Sequence, residues 1–286
     1  MPSSFSPLRY PGGKAKLYSF ITGILTKNNI SKATYIEPFA GGAGLALKLL
    51  FNNDVSKIVI NDYDPAIFAM WYSVLHNNNE LCKLIEDVSI TIEEWKKQKE
   101  IYSLGDTKNL LELGFSTLFL NRTNVSGIIT GGVIGGIEQK GNYSLDARFT
   151  KKTIIKRIKK ISALSDRITL TNSNAIDLLT PSFLNKYSNV FIYCDPPYVK
   201  QGSKLYKNSF TEKDHKELFT IISKCEQPWL VTYDICSFIS MTYKNYRRST
   251  INLNYSANIA RKAQEYAFYS NNLLLPNNII LDNIKK

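Results

Sequence analysis

Histidine, cysteine and methionine are scarce in this chain, at two, four and three residues in 286. The cysteines, Cys82, Cys194, Cys225 and Cys236, show no Cys-x-x-Cys or Cys-x-His spacing. A metal or redox centre therefore has no ligand set to build on, and reduced thiols in a cytoplasmic protein are expected. Long apolar runs are also missing. The nearest, Leu273 to Leu281, is broken by Pro276, Asn277 and Asn278, far from the roughly 20 residues of a membrane-spanning helix. Met1 to Lys14 lacks the apolar centre of a signal peptide. Acidic residues are the third shortage, 24 against 36 basic ones, for a formal net charge of +12. Such an excess makes a polyanion the first partner to consider. With 44% apolar and 21% charged residues, the chain suits one sizeable domain, or a main domain with a smaller one, rather than a disordered tail or fibre.

The charge is unevenly spread. Residues 1–64 carry 7 basic and 4 acidic side chains, residues 65–149 carry 8 and 10, and residues 150–286 carry 21 and 10. Neutralising phosphates needs Lys and Arg, so contacts to a nucleic acid are expected mainly from the last part. The middle part opens with apolar residues at three- and four-residue spacings (Trp71, Leu75, Leu81, Leu84, Ile85, then Leu110 to Leu118), which predict helices. It continues through Gly127, Gly131, Gly132, Gly135, Gly136 and Gly141, and Gln139-Lys140-Gly141-Asn142 reads as a hairpin turn.

Thr34-Tyr35-Ile36-Glu37 predicts a short strand leading into Pro38-Phe39-Ala40-Gly41-Gly42-Ala43-Gly44 and an apolar helix from Leu45 to Leu50. A second strand, Ile58-Val59-Ile60, ends at Asn61-Asp62, 20 residues beyond Gly42. Strand, glycine turn, helix, strand and terminal acid together place a nucleoside at the carboxyl edge of a parallel sheet, with the acid able to accept from ribose hydroxyls. Gly42-Ala43-Gly44-Leu45-Ala46-Leu47 fails the GxGxxG pattern, so a nucleoside cofactor without pyrophosphate fits better than a dinucleotide.

The run Asn189 to Cys194 is apolar enough for a central strand and ends in Asp195-Pro196-Pro197-Tyr198. Prolines cannot continue a ladder, so the chain leaves the sheet at Asp195. A carboxylate, free carbonyls and an aromatic ring then share the cofactor's edge. That set suits a planar NH2-bearing substrate: Asp195 and the Pro196 carbonyl accept the two amino hydrogens while Tyr198 stacks on the ring. The nitrogen's electron density is thereby turned toward an incoming electrophile.

Taken in order, Leu8-Arg9-Tyr10-Pro11-Gly12-Gly13-Lys14, the Glu37 to Gly44 segment, Asn61-Asp62, Phe119-Leu120-Asn121-Arg122 and Asp195 to Tyr198 resemble the Dam-type DNA adenine-N6 methyltransferases. The resemblance implies an α/β fold: a Rossmann-like methyltransferase sheet with helices on both faces, plus an inserted helical and β-hairpin target-recognition domain. The catalytic domain would comprise residues 1–64 and 150–286, with the insertion at 65–149. S-adenosylmethionine is the implied cofactor, held by Tyr10, Lys14 (through the cofactor carboxylate), Glu37, Phe39, Gly41, Gly42, Gly44, Asp62 (through its ribose), Asn174 and Asp195. Many relatives have an acid where Asn174 stands, with Asp177 a shifted candidate or a helix cap, and Trp where Tyr10 stands. Asp195, Pro196, Pro197 and Tyr198 are the implied catalytic residues.

The implied partner is double-stranded DNA whose target base flips out of the stack. Lys200, Lys204 and Lys207, interleaved with Gly and Tyr, suit phosphates over the flipped nucleotide. Asn121, Arg122, Asn124 and Lys140 are candidates for reading bases, since Asn can read adenine and Arg guanine. Arg9 and Tyr255 complete the DNA-contacting set, with Arg261-Lys262 near the target pocket. The run Lys151 to Ile161 carries six basic and no acidic residues around an isoleucine stripe and predicts a helix with a solvated basic face. His215 is expected to pack or cap rather than catalyse. A monomer is expected, with any cognate restriction endonuclease acting separately. Methylation of cytosine N4 or of RNA, and a non-catalytic DNA-binding protein, are the alternatives.

Overall fold

A computed structural model describes residues 5–9, 14–199, 210–255, 261–277 and 279–282. Seven strands, β1 (Thr34–Glu37), β2 (Lys57–Asn61), β3 (Ile168–Thr171), β4 (Val190–Cys194), β5 (Trp229–Asp234), β6 (Arg247–Tyr255) and β7 (Arg261–Tyr269), form one sheet in the order β3-β2-β1-β4-β5-β7-β6. Strands β1 to β5 pair in parallel, and β7 enters antiparallel between β5 and β6. The strand order reverses between β1 and β4, and the crevice outside their carboxyl ends is where such a sheet receives ligands.

Both faces of the sheet are covered, which explains the nearly continuous apolar runs of β1 and β4. Tyr35, Ile58, Ile60, Phe191, Tyr193 and Leu230 pack into the core under helices α1 (Tyr18–Lys27), α2 (Gly44–Phe51) and α3 (Pro65–His76). Their alternates Ile36, Val59, Ile192, Cys194, Val231 and Tyr233 face the other layer, which includes helix Glu212–Ile222. Between β1 and α2, Gly41 and Ala43 both take φ of +46°. This left-handed turn brings the chain from strand to helix within a few residues. Asp64 caps α3 through the Ala66 N–H, with Pro65 in the first turn.

Between β2 and β3 lie α3, α4 (Asn78–Asp87), α5 (Ile92–Leu104), α6 (Leu110–Thr123) and then α7 (Lys151–Ser162). Every residue from Leu113 to Thr123 is buried. The Trp71 indole N–H donates to the Gly41 carbonyl at 2.8 Å, tying α3 to the glycine turn. The predicted basic helix is α7, its Ile154, Ile158 and Ile161 buried.

The expected β-hairpin is corrected. Residues 128–149 form successive turns and bends without a strand pair, and the nearby pairing is a single bridge between Asn124 and Val133. The Gln139 side chain explains this: it donates to the Ile134 and Gly136 carbonyls and accepts from the Leu145 N–H. Partners that a ladder would use are thereby taken by one side chain.

Candidate active site

Strand alternation decides which side chains meet at the carboxyl edge. Glu37 follows Tyr35 by two residues, Asp195 follows Tyr193, Thr232 follows Leu230, and Glu265 precedes Ala267 on the reversed β7. All four therefore project from the same sheet face. Asp195 Oδ1 accepts from the Thr232 hydroxyl at 2.9 Å and lies 3.2 Å from the Lys14 ammonium. Thr232 in turn bonds the buried Tyr193 hydroxyl at 2.9 Å. Lys14 also donates to both oxygens of Glu265, at 2.8 and 2.7 Å, and to the Tyr198 hydroxyl at 2.8 Å. Tyr198 donates its own proton to Glu265. Lys14 and Glu265 are almost wholly buried, whereas the Asp195 side chain keeps 20% exposure. Both described partners of the Asp195 carboxylate lie on Oδ1.

Burial governs the acids here. It pushes Asp195 up to about 6, against the pull of Lys14 and with the repulsion of Glu265. Glu37 is driven well above the usual carboxylate range, first by burial and then by Asp195, and its Oε2 has no hydrogen-bond partner. Asp62 is raised to about 7 by burial, although its oxygens accept from the Gly41 and Asp64 N–H groups at 2.9 and 3.0 Å. Pro196 is buried and Pro197 half-buried, and neither has an N–H to donate.

A model of the D12 class N6 adenine-specific DNA methyltransferases matches residues 10–259. The chain belongs to this family. It is a site-specific DNA methyltransferase acting on adenine, and it therefore uses a methyl donor. It is 25% identical over 232 residues to the type II methyltransferase M.MjaIII of Methanocaldococcus jannaschii, covering 73% of this chain and 74% of that one. It is 29% identical over 206 residues to the modification methylase StsI of Streptococcus sanguinis, covering 68% of this chain but 28% of that longer protein. The solved rRNA methyltransferase aviRa from Streptomyces viridochromogenes is 13% identical with a TM-score of 0.40 across 91% of this chain and 86% of its own.

In this methyltransferase the structure gathers Lys14, Glu37, Asp62, Asp195 and Tyr198 at one sheet edge, with Phe39, Gly41, Gly42 and Gly44 in the turn beside it. Phe39 packs edge-on against Phe210, centroids 5.6 Å apart. Asn174, not Asp177, caps the short 3-10 turn Ala175–Leu179, accepting from the Ile176 N–H. Tyr10, Lys200, Lys204 and Lys207 lie outside the described residues, as does the side chain of Tyr255. The Lys14 ammonium is held by Glu265, Asp195 and Tyr198.

Two expected base readers lie in the interior. Asn121 is fully buried: its amide accepts from the Arg9 N–H at 2.7 Å and donates to the Arg9 and Gly127 carbonyls, both at 2.8 Å. Asn124 is equally buried, accepting from the Trp95 indole and donating to the Ile128 and Ile129 carbonyls. Both amides are engaged within the protein. Arg122 is buried too, its Nε without a partner. Lys140 stays on the surface in an exposed ion pair with Glu138.

His215 packs among Phe210, Tyr233 and Phe238 and bonds the Tyr233 hydroxyl, with burial lowering its pKa. Sequence reasoning missed Thr232 and Glu265. Glu265 had a signal: Glu265, Ala267 and Tyr269 share one face of β7, so an acid interrupts an otherwise apolar stripe. Among the described residues no group of His, Cys, Asp or Glu could hold a metal, and no helix is long and apolar enough to cross a membrane.

Proposed function

We propose that S-adenosylmethionine is the methyl donor and that Asp195, the Pro196 carbonyl and Tyr198 hold the N6 amino group of an adenine turned out of duplex DNA. When bound, the cofactor supplies an electrophilic methyl group. Glu37, with a buried oxygen lacking any partner, suits the cofactor's amine. Asp62 suits its ribose, and the Gly41 to Gly44 turn allows close backbone approach. Asn174 has its oxygen committed to Ile176 and offers its amide N–H groups to the cofactor base. The observation that carries the catalytic reading is the fixed Asp195 carboxylate, with Oδ1 anchored. It orients the amino group, keeps its lone pair aimed at the methyl and receives the released proton. Rate then comes chiefly from alignment.

The DNA grip is read from four guanidinium groups. Arg122 is lowered to about 10 by burial and by the like charges of Arg157, Arg9 and Arg148. Arg9 has a buried, unpartnered Nη1, and Arg157 donates to the Ser6 carbonyl at 3.0 Å. Among the described residues no carboxylate pairs with any of the four. Backbone phosphates are the natural anions for such a cluster. With Lys200, Lys204, Lys207 and Tyr255 they form the proposed DNA-contacting set, with Lys140 at its periphery. The name of one relative, a modification methylase, supports pairing with a separate endonuclease, and we read the protein as a cytoplasmic monomer.

The test is transfer from labelled S-adenosylmethionine to unmethylated duplex DNA, wild type beside Asp195→Ala, with the product digested to nucleosides. The expected product is N6-methyladenine, reduced about a hundredfold or more in the variant. Undiminished transfer by a folded Asp195→Ala protein would remove Asp195 from this role.

A further inference from the structure

Glu265 lies outside every motif in the sequence, yet its carboxylate is among the most buried in the molecule, at 2% exposure. It meets the Lys14 ammonium through both oxygens, at 2.8 and 2.7 Å, and accepts the Tyr198 hydroxyl. The same ammonium stands 3.2 Å from Asp195. This creates an electrostatic conflict, because positive charge builds on the amino nitrogen as it takes the methyl, and Asp195 must attract that charge. A lone ammonium so close would cancel much of the attraction in a site shielded from water. A second carboxylate on the same ammonium relieves the conflict.

We propose that Glu265 is a positioning residue for methyl transfer: it binds Lys14 and the Tyr198 hydroxyl, so that Asp195 faces the target amino group with its charge uncancelled and the stacking ring is anchored at its oxygen. This rests on Asp195 as the amino acceptor. The groups facing Asp195 come from every neighbouring element. Lys14 comes from the turn before α1, Glu265 from β7, Glu37 and Tyr35 from β1, Tyr193 from β4 and the Thr232 hydroxyl from β5. Lys14 lowers the Asp195 pKa and Glu265 raises it. Removing the Glu265 charge must therefore make Asp195 more acidic, an effect that a purely structural support would not have.

Glu265→Gln keeps the shape and removes the charge. Its kcat should fall about tenfold or more with KM for DNA nearly unchanged, and the acid limb of its pH–rate profile should move to lower pH. In the cofactor-free protein the stability lost between pH 4 and 6, read by urea unfolding, should shrink. Glu265→Asp keeps the charge but draws it back, so kcat should fall less than in Glu265→Gln and the acid limb should move in the same direction but less far. That variant decides the matter if the first does not fold. Wild-type kcat in either variant, or a loss of rate in Glu265→Gln without a shifted limb, overturns the proposal. Asp195→Asn is assayed alongside. If it retains activity, the role of Asp195 fails; if it is inactive while Glu265→Gln behaves as wild type, the inference about Glu265 alone fails.

Discussion

A methyl group added at Gly127 would lie 2.3 Å from the Arg9 carbonyl oxygen, and the residue's φ of +76° already excludes most side chains. Gly127→Ala should cost about 1–3 kcal/mol, whereas Gly132→Ala, with nothing within 4 Å of the new carbon, should be close to neutral. Urea denaturation of the pair checks both. Asn121 holds the same spot from the other side, so Asn121→Ala should also lower stability by about 1–3 kcal/mol while leaving the methylated sequence unchanged, as digestion and mapping of product DNA would show. Whether a residue could be assigned from sequence depended on the kind of constraint. The place of Asp195 and Tyr198 just beyond the end of β4 was legible because two prolines force the chain out of the sheet there. Asn121 and Asn124 were not, because a polar residue that serves backbone groups in the interior looks the same in sequence as one that reads DNA. Thr232 and Glu265 act only through register across strands distant in the chain.

Strands β1, β2 and β4 could be read from their apolar runs, and α7 from its isoleucine stripe. The segment after α6 could not, since its glycines fit a hairpin as well as linked turns and the outcome hung on what the Gln139 side chain bonds. Helix Glu212–Ile222 begins with a capping box in which Thr211 accepts from the Asp214 N–H and Asp214 accepts from the Thr211 N–H. Thr211→Ala should lower stability by about 1 kcal/mol, measured by thermal unfolding. On α7, Ile158→Ala should cost about 2–5 kcal/mol, because Ile158 is completely buried.

Across the whole molecule, the raised carboxyl groups set the response to pH. Asp195 at about 6 and Asp62 at about 7 lie above the unfolded value of about 3.9, and Glu37 is shifted in the same direction. These three groups thus hold more protons in the folded protein than in the unfolded chain in this range, and their contribution to stability falls as pH rises. The cofactor-free protein should lose stability progressively from about pH 4 to 7, and Asp62→Asn should flatten the upper part of that slope in urea titrations. DNA binding should weaken steeply with salt, and Arg157→Ala should reduce the log–log slope by about 1. Lys14 and Glu265, bonded to one another, stand 251 positions apart in the chain. At the usual rate of synthesis, about 5–20 residues per second, tens of seconds separate their appearance on the ribosome. A nascent chain carrying Asp195 and Tyr198 but not yet β7 lacks Glu265 as a partner for Lys14 and Tyr198, so this part of the site is completed only after translation has passed the seventh strand.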